Sequence, residues 1–445
     1  MTDWRWEQLI GPKAPLWTVY LRGLPDIDPI PLPSGFARSP GCTFCEAREF
    51  VDIVVTPPRH LHVDRGFEGG VATDDSGDEG SRYVGNLSFA ALRRRCPLLA
   101  STRPIELQKC VEAAWSDQTS KIQGPAGCAV IWREVCQTAT VWQNGQPISE
   151  SRHKVRVRIT VTIRRGDSVA RRTRSLGVRL REIWQADRLI AAIPALLDSA
   201  AVAAETALLP AENLYDAGSR PLLFIGGSAG LIAHEAIGHP LEADNIISGA
   251  SRLAADMGHE IAPQHFTVID HPRTVDGFGS WDIDDEGQPT RPVVLVEHGV
   301  VTGMLTHRAT ASTLGGSSTG HGRRLSACGP CMPRMSTTVI MPSIGDPLTD
   351  AAGLDETIVC WQVGNGYVDH DTGQVAIEIQ EAALLRHGEP VARLHPFTLD
   401  ADLRELLRRI GPIGQGLDLC QGICMKRGQW VRVSYGSPTL LLMAR

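Results

Sequence analysis

The chain has 445 residues, of which 42% are hydrophobic and 21% charged, and its formal net charge is -6. That length allows two or three domains of about 100–200 residues, each able to bury a core, and the slightly acidic balance gives no global attraction to nucleic acid or to an anionic membrane. Eleven cysteines, an odd count in a long chain, argue against a secreted disulfide framework.

The N-terminal stretch MTDWRWEQLIGPKAPLW lacks a basic segment followed by an apolar core, so it does not read as a secretory signal. Residues 1–45, rich in Trp and Pro without a clear period, read as an N-terminal extension. Residues 46–212 are expected to form an N-terminal domain of mixed α and β structure (α/β). Within it, EFVDIVV (49–55) predicts a strand and the acidic GFEGGVATDDSGDEG (66–80) a solvated loop. That loop does not fit a calcium site, because Glu79 stands where the sixth-position Gly belongs. HKVRVRITVTI (153–163) alternates strictly, with Val155, Val157, Ile159, Val161 and Ile163 on one face, and predicts a half-buried antiparallel strand. Arg165, Gly166 and Asp167 then turn the chain into a returning strand in ARRTRSLGVRLR. Its arginines read as a solvated sheet face, since no aromatics are interleaved to stack on bases. Residues 186–209 predict one or two helices, kinked or interrupted near Pro194. Pro194, Asp198 and Glu205 break the apolar run there, so no membrane span is expected and a cytoplasmic location is.

AENLYDAGSR (211–220) reads as a linker, and residues 220–445 as a mainly antiparallel β domain. PLLFI (221–225) predicts a buried strand, GGSAG a tight turn and LIAHEAIGH a helix. FTVIDHP, RPVVLVEHGVVTGML, STTVIMP, ETIVCWQV, GQVAIEIQEAALLRHGEPVARL and QWVRVSYGSPTLLLM are short β-rich runs separated by Gly-containing turns. DADLRELLRRI (400–410) predicts a helix among them. The fold class is therefore α+β, with the β-rich C-terminal domain carrying the helix of chemical interest.

On that helix His234 and Glu235 are followed by a second histidine, His239. Each helical residue turns about 100°, so the familiar H-E-x-x-H spacing sets two imidazoles about 40° apart, and a spacing of five sets them about 140° apart. His234 and His239 can grip one ion only if the helix widens by a π-type turn or ends before His239, and Gly238 and Pro240 favour such an irregularity. Neutral imidazoles suit zinc, and a catalytic zinc takes three protein ligands and keeps an open position. Glu235 is then placed as the general base that takes a proton from the attacking water. DLCQGICMKRGQW (418–430), which reads as a Gly-containing polar segment just before the last strands, offers a thiolate as third ligand from Cys420 or Cys424, and these residues alone leave both open. Chance pairing among fourteen histidines is the plain alternative.

HEAIGHPLEAD (234–244) resembles the H-E-x-x-x-H signature of the TldD/PmbA metalloproteases, and specifically their metal-binding TldD-like subunit. DGFGSWDIDDEGQPTRPVVLVEHGVVTGML (276–305), SSTGHGRR (317–324), MPRMSTT (332–338), NGYVDHDTGQVAIEIQEAALLRHGE (365–389) and ICMKRGQWVRVSYGSPTL (423–440) are similar to further blocks of that family. The likeness covers residues 220–445 strongly and 45–210 in outline. It implies that Cys424 is the third zinc ligand, since Lys426, Gly428 and Gln429 follow it in the family's order. It also implies hydrolysis of amide bonds in extended peptides or peptide-like small molecules, secondary-metabolite processing included, with the substrate lying as an added strand. The implied partner is a TldE/PmbA-like subunit in a heterodimer, with a homodimer as the alternative; neither nucleic acid nor membrane is expected. Pro240 and Ala243 stand where the family commonly has Gly.

Three other readings are kept. Gly226-Gly227-Ser228-Ala229-Gly230 fits the G-x-S-x-G elbow of serine hydrolases, although no HGGG-like segment is present and the downstream half is β-rich. Cys42 with Cys45, in CTFC, and Cys328 with Cys331, in CGPC, offer a four-cysteine structural zinc clip. A non-catalytic TldD-like scaffold is the third, against which stands the presence of His234, Glu235, His239 and Cys424 together.

Overall fold

The computed structural model describes residues 4–5, 18–23, 42–56, 103–143, 146–180, 184–214, 217–274, 277–325 and 330–445. The acidic stretch 66–80, Cys328 and the side chains of Cys42 and Cys45 lie outside the described residues. The chain divides into two compact units, one holding residues 1–33, 45–139 and 151–209, the other 34–44, 140–150 and 210–445.

The first unit is built on a sheet of β1 (Trp4–Arg5), β2 (Thr18–Gly23), β3 (Cys42–Thr56), β4 (Ala126–Gln143), β5 (Gln146–Arg165) and β6 (Ser168–Leu180), paired in that order. Helices α1 (Arg103–Thr119) and α2 (Trp184–Ala207) accompany it. The alternating face of β5 is wholly buried: Val155, Val157, Ile159, Val161 and Ile163 pack with Leu107 and Val111 of α1 and with Leu189, Ile193 and Leu197 of α2. Helix α2 runs through Pro194 without a break. Pro194 faces outward and lacks the N–H that would bond the carbonyl of Ile190, and the Cys110 thiol donates to that carbonyl instead, at 3.4 Å. By length and composition Gln185–Ala207 could cross a membrane. Its apolar side is the one packed on β5.

The second unit begins with β7 (Ala211–Glu212) and β8 (Leu222–Phe224), then α3 (Gly230–Ala233), a π-helical turn (His234–Gly238) and α4 (Ala243–Ile247). It continues through β9 (Val268–Asp270), β10 (Val293–Glu297), β11 (Val300–Val301), α5 (Arg308–Thr313), the short pair β12 (Gly322–Arg323) and β13 (Met332–Pro333), β14 (Thr337–Ile340) and α6 (Pro347–Ala352). The last stretch holds β15 (Glu356–Val368), β16 (Gln374–Arg386), β17 (Glu389–Leu394), β18 (Phe397–Asp402), α7 (Leu403–Arg408), β19 (Ile410–Ile413), β20 (Asp418–Lys426), β21 (Gln429–Ser437) and β22 (Leu440–Leu442). One sheet runs β11-β10-β9-β14-β21-β20; the other runs β19-β22-β8-β15-β16-β17-β7, with β18 also on β16. Most pairs are antiparallel, as expected, but β14–β21, β8–β15 and β7–β17 are parallel.

Two local expectations need correction. DADLRELLRRI is not one helix: β18 extends to Asp402, whose carboxylate then caps α7 by accepting from the N–H groups of Arg404 and Glu405. DLCQGICMK, read as a polar segment before the last strands, is itself a strand, β20, paired residue for residue with β21. Its Gly, Gln and Asp content is poor in strand formers, and pairing with β21 overrides that.

Candidate metal centre

The GGSAG turn delivers the chain from β8 into α3. Gly226 and Gly227 have φ of 62° and 80°, a region that other residues rarely adopt. Ser228 is buried, and its hydroxyl donates to the carbonyls of Ile225 at 2.7 Å and Cys360 at 3.3 Å. It pins the turn and does not present a free nucleophile.

Past Ala233 the helix widens. The His239 N–H donates to the His234 carbonyl at 3.1 Å, a step of five residues. This turn brings the two imidazoles together, ring centroids 5.0 Å apart. Gly238 allows it, because a Cβ there would overlap the Met335 sulfur.

Cys424 arrives from β20, with its Sγ 3.2 Å from His239 Nε2. One ligand atom from each of His234, His239 and Cys424 lies within 4.8 Å of the others, and all three residues are buried. Cys420 is not in this group: its Sγ lies 3.4 Å from the Gly226 carbonyl, and burial pushes its thiol up to about 12. Burial disfavours the Cys424 thiolate too, but His239 and the Arg334 guanidinium outweigh it and hold that thiol well below its usual range.

Three residues missed by sequence reasoning frame the donors. Glu242, wholly buried, accepts from His239 Nδ1 at 2.9 Å, which fixes the imidazole with Nε2 toward the sulfur. Lys426 donates to Glu242 at 2.9 Å and to Asp244 at 2.6 Å. Burial works against the Glu242 carboxylate, yet Lys426, His239 and Arg334 outweigh it and keep the group ionised. Arg334 reaches Cys424 from the MPRM segment. A carboxylate three residues past His239, and a lysine two past Cys424 on the same strand face, were available local signals. Arg334 had none.

The donor set suits zinc: two imidazoles, one of them oriented by a carboxylate, and a stabilised thiolate. His234 Nδ1 is also buried with no hydrogen-bond partner. Glu235 sits beside the set, one carboxylate oxygen 4.0 Å from His239 Nε2. Burial raises its pKa, and His239 and His234 only partly offset this. The β15 backbone passes close by, since a Cβ on Gly366 would stand 2.6 Å from Glu235 Cγ. Around the rim, Tyr435 lies 6.2 Å from His234 and His370 lies 6.4 Å from His239, ring centre to ring centre.

The DDEG segment has a different task. Asp284 accepts from the N–H groups of Glu286, Gln288 and Gly322, Asp285 from Arg323 and Arg324, and Glu286 from the N–H of Arg308. These carboxylates tie loops together.

Residues 217–444 match the family described as the PmbA/TldA metallopeptidase C-terminal domain. A "Metalloprotease TldD homolog" of Buchnera aphidicola is 32% identical over 228 residues, which is 51% of this chain and 47% of that protein. A second, from Haemophilus influenzae, is 27% identical over 345 residues, 77% of this chain and 71% of that protein. The first match thus spans about half of the relative's length. Among solved structures, TldE from Thermococcus kodakarensis shares the fold, with a TM-score of 0.61 at 15% identity over 96% of both chains. The chain belongs to the PmbA/TldD metallopeptidase family.

Proposed function

We propose that this protein is a zinc-dependent peptidase that hydrolyses amide bonds of extended peptides or peptide-like small molecules, and that it is the catalytic half of a heterodimer with a TldE-like chain. The observation that carries the reading is the convergence of His234, His239 and Cys424 within 4.8 Å, with Glu235 beside them. His234, His239 and Cys424 would hold the zinc. A zinc ion there supplies Lewis acidity for the scissile carbonyl and makes a neighbouring water more acidic. The Glu235 carboxylate takes a proton from the attacking water and returns it to the departing amine nitrogen, a task helped by burial, which raises its carboxyl pKa and makes it a stronger base.

An extended substrate is favoured by a free strand edge. On one side β15 pairs with β16 as far as Val368, but on the other β8 reaches only Ile358–Cys360. Beyond Cys360 that second edge has no strand partner among the described residues, and Gly366 lies on it beside Glu235. Such an edge can take a peptide as an added strand. The likeness to TldE supports a partner of the same fold.

The test is metal content and peptide hydrolysis of the chain with a TldE-like partner. One zinc per chain is expected, with activity lost on chelation and restored by zinc. Full activity of a zinc-free preparation rules the reading out, and a zinc-loaded but inert complex favours the non-catalytic scaffold.

Gly366→Ala supplies a narrower check. Its methyl would push against Glu235 and displace the base, and a misplacement of about 1 Å costs on the order of 100-fold in rate. Zinc content should be unchanged. Wild-type kcat in this variant means that the base does not depend on the β15 backbone.

A further inference from the structure

Arg334 is wholly buried, yet among the described residues no carboxylate lies within hydrogen-bonding distance of it. Its Nε has no hydrogen-bond partner, and the nearest carboxylate oxygen, on Glu242, is 3.7 Å away. Its two terminal nitrogens are engaged elsewhere. Nη2 donates to the Cys424 carbonyl at 2.9 Å and to Cys424 Sγ at 3.0 Å. Nη1 donates to the Gln429 carbonyl at 2.9 Å and to its side-chain oxygen at 2.7 Å. A buried guanidinium cannot shed its proton, so its charge needs an anion. The group it meets at shortest range that can be anionic is the sulfur of Cys424.

We propose that Arg334 is the charge partner of the Cys424 thiolate, a positioning residue that draws electron density off the sulfur and fixes its direction. The proposal rests on the metal reading above. A thiolate gives more charge to a zinc ion than an imidazole does, and so weakens the ion as a Lewis acid. A charge-assisted hydrogen bond to that sulfur opposes the loss, and such bonds are roughly twice as strong as neutral ones. Exclusion of water strengthens the effect. Sulfur-directed hydrogen bonds are an established way to tune metal–thiolate sites.

The hold is also geometric. Nη2 grips the carbonyl and the sulfur of one residue, which fixes the Cys424 side chain relative to its own backbone. Nη1 grips Gln429, which pairs with Lys426 at the end of the β20–β21 hairpin. One planar fork therefore ties the sulfur to the hairpin that carries it. A lysine would supply the charge without the fork.

The test uses the full chain loaded with cobalt(II). Wild type should show a near-ultraviolet sulfur-to-cobalt charge-transfer band. In Arg334→Gln the sulfur is more electron-rich, so the band should move to longer wavelength, and zinc affinity should fall about 10–100-fold. Arg334→Lys should show a smaller shift in the same direction. A residue that merely supports the fold would weaken binding without moving the band. A band at the wild-type wavelength in Arg334→Gln overturns the proposal. If that variant does not fold, the same reading on Arg334→Lys decides. A wild-type cobalt protein with no sulfur band removes Cys424 from the ligand set, and the proposal falls with it. A wild-type band with unshifted variants sinks only the role of Arg334.

Discussion

Glu235→Gln should retain one zinc per chain and lose most peptide hydrolysis, with kcat/KM falling about 100- to 10,000-fold, or roughly 3–5 kcal/mol of transition-state stabilisation. The substitution keeps size and hydrogen-bonding shape and removes only the ability to accept a proton. Glu235 contributes no donor to the cluster formed by His234, His239 and Cys424, so the metal should stay. The main loss should appear in kcat, because the proton moves only in the transition state. Titration of zinc beside steady-state kinetics separates the outcomes. Hydrolysis within a few-fold of wild type excludes Glu235 as the base, while loss of zinc makes it a structural part of the site.

Cys424→Ala should abolish stoichiometric zinc and destabilise the fold, whereas Cys420→Ala should keep zinc and activity. The contrast follows from where the two sulfurs sit. Cys424 Sγ lies 3.2 Å from His239 Nε2, while Cys420 Sγ lies against the Gly226 carbonyl. Without the Cys424 sulfur, one of the partners of buried Arg334 disappears. Loss of a hydrogen bond to a charged group costs about 1.5–3 kcal/mol, visible as a lower midpoint of thermal unfolding even in the metal-free protein. The assignment of the third donor would be reversed by a Cys424→Ala protein that holds zinc as tightly as wild type.

The parts of the site legible in the sequence are those set by local geometry. The angular step between His234 and His239 calls for a widened turn or a helix that ends before His239, and the backbone supplies the first at His234–Gly238. The alternation in β5 likewise marks its buried face, because a period of two is a property of the strand itself. Cys420 and Cys424 were different. They share one face of β20, about 13 Å apart along the strand, and only the register of β20 on β21, and of β21 on β14, sets which one meets the helix. That register is long-range and leaves no local mark. Arg334 was hidden for the same reason, since its partners lie in a hairpin distant in sequence. Helix α1 went unnoticed, its sequence RPIELQKCVEAAWSDQT carrying only a weak apolar stripe. Pro194 misled in the opposite direction: proline usually ends or bends a helix, but here it faces outward and a thiol takes the place of the missing donor.

The arrangement of β14, β20 and β21 also orders events in time. His234, Glu235 and His239 are brought together within one widened helical turn, a contact local in sequence. Cys424 joins them only after β21 has paired in parallel with β14, which closes a long stretch of chain and is slow by comparison. A chain in which that sheet has not formed would offer a metal the two imidazoles but no sulfur fixed in place. A metal held by His234, His239 and Cys424 would therefore bind tightly only when the sheet is complete, sealing a finished fold rather than seeding it.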